Sequence, residues 1–241
     1  MRIYGINPVL EALRAKRVTS MYVSARADQR LAEVLTLAQA QGFDVRRVAM
    51  DVLDRLTRSA AHQGVVADVR ARDHVDVEDL VRSARGGSGA PLIVVLDGIE
   101  DPQNVGAILR SVDAAGADGV VRQSRHAAAL EGAAAKASAG ALSHVRIADV
   151  VNVARALERL KEAGVWTVGL AGDAPRTYDE VDLTLPTALV VGAEGTGLRR
   201  LVRERCDWLV SIPMAGHVQS LNVSVATGIA LFEAVRQRRP R

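Results

Sequence analysis

Three short stretches of this chain carry polar residues whose types and spacing could do chemistry. The first, Asn104 to Arg110, sets an amide and a guanidinium at either end of an apolar run that includes Val105, Ala107, Ile108 and Leu109. Asn104 is placed to cap a helix or to meet a ligand at its N-terminus. Arg110, nearly two turns on, is expected on a similar sector of that helix. A buried Arg there needs a partner, while a plain surface Arg needs none. The second stretch is Gly192-Ala193-Glu194-Gly195-Thr196-Gly197. It lacks the Lys-Ser/Thr ending of a nucleotide phosphate loop, and an acid inside it repels phosphate. Glu194 fits a cationic, hydroxyl or amine-bearing ligand better, although spacing alone fits a plain tight turn. The third runs from Ile212 to Asn222, with Ser220 and Asn222 at a helix start. Either is a natural N-cap, and the same position offers free backbone N–H groups to a ligand.

Each stretch follows or opens a recognisable element. Leu92 to Leu96 and Leu189 to Val191 are continuous apolar runs, as expected of strands buried on both faces, and Leu209 to Ile212 is a shorter one. Helices are expected from about Val105 to Ala115, stopped by Gly116, and from Val153 to Ala163, stopped by Gly164. Val120-Val121, Val145 to Ala148 and Val165 to Leu170 are further strands, and a long last helix opens near Ser220-Leu221-Asn222. The Ala/Gly-rich stretch 127–142 is expected as a closely packed helix. Strand–helix alternation over this half predicts an α/β fold with a mostly parallel sheet covered on both faces. Loops at strand ends are where such sheets bind ligands.

The leading segment has its own alternation. Asn7 and Pro8 open a helix as cap and first turn. Met21 to Ser24 is a strand, Asp28 caps a helix ended by Gly42, Val45 to Ala49 is a strand, Val52 to Arg58 a helix, and Gly64 to Val69 a strand with period-two character. His62-Gln63-Gly64 reads first as a turn. Three parts result: an α/β unit at 1–73, a linker at 74–90 and a larger unit at 91–241. The linker holds a short amphipathic helix (Val77 to Ala84) and Gly86-Gly87-Ser88-Gly89, a flexible composition.

The chain has 241 residues, 49% hydrophobic and 24% charged, an ordinary globular mix. No apolar run reaches the ~20 residues of a membrane helix, and the start lacks a signal core, so a cytoplasmic protein is expected. Cys206 is alone and is expected as a buried structural thiol; no Cys/His cluster has zinc spacing, so no metal is expected. Residues 1–73 hold 12 Lys and Arg against 8 Asp and Glu, while the remainder is nearly balanced. A basic leading unit suits RNA, and a solvated surface explains the charge equally well. Aromatics are only 3%, which argues against a base-stacking platform.

Taken in order, these stretches resemble the SpoU branch of the knotted (SPOUT) methyltransferases. The motifs stand as Asp101-Pro102-Gln103-Asn104-Val105-Gly106-Ala107-Ile108-Leu109-Arg110-Ser111, as Val191-Gly192-Ala193-Glu194-Gly195, and as Ser211-Ile212-Pro213-Met214 with Ser220-Leu221-Asn222-Val223-Ser224-Val225-Ala226. Ile3-Tyr4-Gly5 and His62-Gln63-Gly64 resemble the L30e-like RNA-binding domain of ribose methyltransferases. The resemblance implies an S-adenosylmethionine-dependent enzyme that methylates the ribose 2′-hydroxyl of a guanosine in large-subunit ribosomal RNA. It implies a C-terminal trefoil knot and a homodimer formed through the knotted domain. Cofactor binding falls at Gly172, Gly192, Ile212, Met214 and Leu221, and catalysis at Asn104, Arg110, Glu194, Ser220 and Asn222. Other readings are a tRNA ribose methyltransferase, a resistance methyltransferase of the same fold, and a ribosome-assembly factor that binds RNA without catalysis. His217 and Gln219 lie in the variable part of the third motif.

Overall fold

The computed structural model describes residues 2–239 apart from 27, 28, 59, 71–74, 87, 88, 126 and 131. Asp28, expected as a helix cap, and Gly87-Ser88 of the expected linker lie outside the described residues.

The chain divides into two compact units, residues 1–73 with 129–144, and residues 74–128 with 145–241. In the first, β1 (Arg2–Tyr4), α1 (Ile6–Arg14), β2 (Val18–Ser24), α2 (Ala32–Ala40), β3 (Val45–Val48), α3 (Met50–Thr57) and β4 (Val65–Val69) follow in order. The sheet runs β1-β4-β2-β3, with β4 antiparallel to both neighbours and β2 parallel to β3. The helix expected to be capped at Asn7 begins at Ile6, two residues earlier than that cap implies, and its cap position is Gly5. Gly5 serves because Ile6 N–H is already satisfied by the Gln63 side chain, at 3.0 Å, so no capping side chain is needed there. The turn at His62-Gln63-Gly64 is tightly held: His62 is buried, and its Nδ1 accepts Gly64 N–H at 3.0 Å.

The second unit begins with α4 (Val77–Gly86), then β5 (Leu92–Asp97), α5 (Pro102–Ala114) and β6 (Gly119–Gln123). The chain next contributes α6 (Ala133–Ala137) to the first unit and returns as β7 (Ile147–Val150), α7 (Val153–Glu162), β8 (Trp166–Leu170), β9 (Arg176–Thr177), β10 (Thr187–Gly192), α8 (Arg200–Arg205), β11 (Trp208–Ser211) and α9 (Val223–Arg238). Seven strands form one sheet in the order β7-β6-β5-β10-β8-β11-β9, every pair parallel. All six residues of β5 are buried, which is why that run reads as continuously apolar.

Two expectations change here. The segment 74–90 is not simply a linker. Val77, Leu80 and Val81 of α4 are buried in the second unit's core with Leu157 and Leu160 of α7, because the helix is amphipathic and its apolar stripe needs cover. Among its described residues the stretch 127–142 forms only the short α6, followed by a single 3₁₀ turn at Ala141–Ser143. Gly140, at φ +100°, breaks the regular helix, and a side chain there would collide with Glu11 of α1. The helix stops are as the glycines suggest. After α5 and α7, Gly116 and Gly164 take positive φ, and the following N–H groups return to Val112 and Leu160 in Schellman ends.

Candidate active site

Three strand ends deliver the three motifs. β5 and β10 are neighbours in register, with Gly192 beside Asp97. Asp97 is completely buried, and its carboxylate accepts from the backbone N–H of Arg199 at 2.8 Å and from Arg199 Nε at 2.6 Å. A buried carboxylate without such partners is strongly disfavoured. The pair therefore fixes where the loop 193–198 must end. Its beginning is fixed by Gly192: a Cβ there would lie 2.1 Å from the backbone of Gly197, so only glycine lets the loop fold back on itself. Gly197 N–H closes it by donating to Ala193 O at 2.8 Å.

Asn104 is not the cap of α5. Asp101 takes that role, accepting from Gln103 N–H, with Pro102 at the first helical position. Asn104 sits in the first turn, 6% exposed, and turns its Oδ1 towards the third motif. There Asn222 is the N-cap of α9, its Oδ1 accepting from Ser224 N–H at 2.9 Å and Val225 N–H at 3.4 Å. With the oxygen so committed, the amide nitrogen faces the other way. It donates to Asn104 Oδ1 at 2.9 Å and to Glu194 Oε1 at 2.6 Å. One side chain thus ties together three loops that are far apart in sequence, with both amide ends in use.

Beside this tie lies a cavity of about 730 Å³, within the usual range for small-molecule sites. Gly172, Gly192, Ile212, Met214 and Leu221 all line it, as do Glu194, Ser220 and Asn222. Leu170, Val191 and Val210 give it apolar lining, and the loop residues 192–197 and 219–222 line it as well. Ser220 is exposed and makes no side-chain hydrogen bond among the described residues. Arg110 is not brought to this cavity. It is exposed on α5, whereas Asn104 is buried, because six residues at ~100° each fall well short of two full turns. It has no ion-pair partner among the described residues. Among those residues no cluster of three or more His, Cys, Asp or Glu could hold a metal ion.

Two contributors were not singled out from the sequence: buried Asp97 with its exposed partner Arg199, and Asp173 with Arg203 at the cavity. Asp97 ends an apolar strand and is read there as the start of a turn, and only the fold shows what it holds. Cys206 caps the end of α8, donating to Val202 O at 3.4 Å, and burial pushes its thiol up to about 12.

Residues 91–232 match the SpoU rRNA Methylase family, and residues 2–75 match the RNA 2'-O ribose methyltransferase substrate binding family. The 23S rRNA (guanosine-2'-O-)-methyltransferase of Shewanella oneidensis is 44% identical, over 98% of this chain and 97% of its own. The solved SpoU methyltransferase AviRb of Streptomyces viridochromogenes, in complex with AdoMet, superposes at a TM-score of 0.82 with 27% identity, covering 99% of this chain and 90% of its own. The TrmH/SpoU tRNA modifying enzyme of A. aeolicus, 34% identical, superposes at a TM-score of 0.56 and covers 67% of this chain and 84% of its own.

Proposed function

The chain belongs to the SpoU rRNA methylase family, and on that premise we propose that it transfers the methyl group of S-adenosylmethionine to the ribose 2′-hydroxyl of a guanosine in large-subunit ribosomal RNA. The observation that carries the reading is the tie through Asn222, which sets Asn104 and Glu194 beside a cavity lined by all five residues expected to hold the cofactor. The cavity fits that group. Its apolar lining suits an adenosine, and its glycine-containing loops let a ligand approach the backbone closely.

Bound there, S-adenosylmethionine supplies an electrophilic methyl on a sulfonium whose sulfur leaves as a neutral thioether. The chain's task is to bring a hydroxyl into line with that methyl and to manage one proton. Asn104 and Asn222, locked to each other, orient the ribose. Glu194 fixes the Asn222 amide, and Ser220 lies at the cavity rim to meet the substrate. Arg110 acts through charge, holding an RNA phosphate and stabilising developing negative charge on the ribose oxygen, since a guanidinium is too weak an acid to serve as a base in its neutral form. The proton leaves through phosphate or water.

Arg110 and the cavity stand apart within one chain, and a homodimer supplies the missing proximity. Val225 and Phe232 of α9 are half exposed on a helix that is already packed against α5, and a second copy would cover them. In such a pairing Arg110 of one copy would serve the cavity of the other. The knot is supported by the strand order: β10 is inserted between β5 and β8, β11 between β8 and β9, and α9 then returns to α5. No helix among the described residues is long and apolar enough to cross a membrane; a ribosomal RNA substrate supports reading the protein as cytoplasmic.

Ribosomal rather than transfer RNA is favoured by the leading unit. The ribosomal RNA relative spans this chain end to end, and the tRNA enzyme covers two thirds of it. Methyl-labelled S-adenosylmethionine offered with unmethylated large-subunit RNA and tRNA in parallel tests this. Label entering the ribosomal RNA is expected, and label confined to tRNA would overturn the assignment.

A further inference from the structure

Three charged side chains line the cavity: Asp173, Glu194 and Arg203. Glu194 is engaged by Asn222, within the tie that joins the three motifs. Asp173 and Arg203 are engaged only with each other in the described hydrogen bonds, through two parallel contacts of 2.8 Å and 3.0 Å. The guanidinium beside it holds the Asp173 carboxyl below the usual carboxylate range. Both partners face solvent, with 71% of the Asp173 side chain and 38% of the Arg203 side chain exposed. Exposed pairs of this kind contribute little and are opened readily by a better-placed charge.

Arg203 is the one cation among the cavity's lining residues. Its position is also fixed from below. It lies on α8, and the residue that opens that helix, Arg199, is held by the buried Asp97. A ligand that carries a carboxylate into this cavity therefore meets a single, pre-positioned guanidinium fork, a geometry matched to bidentate carboxylate binding.

We infer that Arg203 and Asp173 form the receptor for the amino-acid end of the cofactor, Arg203 taking the α-carboxylate and Asp173 the α-ammonium. This rests on the cofactor reading above and adds charged side-chain recognition to that site. Without ligand the two charges neutralise each other. With ligand the pair opens, and each charge finds its opposite on the zwitterion. The pair thereby selects ligands that carry a free amino-acid end over bare thio-adenosines that share the same adenine and ribose.

The test is calorimetric titration of the full chain with two ligands, S-adenosylhomocysteine and 5′-methylthioadenosine, which lacks the carboxylate and ammonium. Wild type is expected to prefer the first. Arg203→Met keeps the aliphatic stem on α8 and removes the charge. It is expected to weaken S-adenosylhomocysteine about ten- to a hundred-fold, the range of a lost charged hydrogen-bond pair, and to leave methylthioadenosine unchanged. Asp173→Asn is expected to shift the same preference in the same direction. Equal weakening of both ligands by Arg203→Met would make the residue structural and overturn the inference, as would unchanged affinity for both. Wild type binding neither ligand would overturn the cofactor reading itself, an outcome distinct from either.

Discussion

Asn222 is the residue on which the site's geometry converges, and two substitutions separate its roles. Asn222→Ala removes the cap of α9, at a cost of about 1 kcal/mol. It also strips the partner from Asn104 Oδ1, an oxygen on a residue only 6% exposed. An unsatisfied buried acceptor costs about 1–3 kcal/mol, so the expected total loss of stability is about 2–4 kcal/mol. Asn222→Asp behaves differently. Its oxygen still caps the helix, and its charge interacts favourably with the N-terminus of α9 by about 0.3–1 kcal/mol. It has no donor for Asn104 or Glu194, however, and sets a carboxylate where the Glu194 oxygen now lies 2.6 Å from an amide nitrogen. Like charges at that distance push the second and third loops apart. Both variants lose the donor to Asn104, so denaturant unfolding should place the Asp variant above the Ala variant by no more than the retained cap and dipole terms, about 1–2 kcal/mol. Titration with S-adenosylhomocysteine and methyl-transfer assays should find both impaired at least about ten-fold, the effect of losing one charged hydrogen bond. Adding Glu194→Gln to the Asp variant removes the repulsion and should recover part of the affinity. An Asp variant with wild-type affinity and turnover would refute the claim that the amide tie organises the site.

Mixing Arg110→Ala with Asn222→Ala chains tests where Arg110 acts. If it serves the other copy's cavity, half of the randomly paired dimers are mixed, each has one intact site, and about a quarter of wild-type turnover returns; no return would place Arg110 with its own chain's site. Gly192→Ala forces a methyl against the Gly197 backbone, so cofactor affinity should collapse in a protein destabilised by about 1–3 kcal/mol, as measured by titration and unfolding. Asp207 is a pH probe. Burial raises its pKa, but Lys161 at 2.8 Å and the Thr167 hydrogen bonds outweigh burial and leave it lowered. Its stabilising contribution is therefore complete above the unfolded value of 3.8 and is lost as pH falls through the lower folded value. Asp207→Asn should accordingly be less stable than wild type at neutral pH, with the difference shrinking in acid unfolding series.

Much of the second unit was legible because its signals are local. Apolar runs gave β5, β10 and β11, and Gly116 and Gly164 mark real helix ends. The extra edge strand β9 was not legible, since Arg176–Thr177 is two residues long and pairs only because β11 lies beside it. Caps were harder still. Asn7 and Asn104 have the right chemistry, but Gly5 and Asp101 hold the positions, because a cap depends on where the chain turns and not on residue type alone. The linker misread has the same origin: the glycines after α4 look flexible, while the apolar stripe of α4 answers to a core assembled from distant residues. For the site, the motifs named Asn104, Glu194 and Asn222, and the structure brings these three together. Their mutual hydrogen bonds, the Asp97–Arg199 pair and the separation of Arg110 from the cavity depend on pairings across a hundred residues, which spacing cannot express.

The central claim is that this site methylates a ribose oxygen, and one chemical property reads that directly. A ribose whose 2′-oxygen carries a methyl cannot assist cleavage of its own phosphodiester, so alkali leaves that linkage intact. Large-subunit ribosomal RNA should be labelled by the full chain from methyl-labelled S-adenosylmethionine, then hydrolysed completely in alkali. The account predicts that the label appears in an alkali-stable dinucleotide whose 5′ member is guanosine. Label in mononucleotides would mean methylation of a base, and would contradict it.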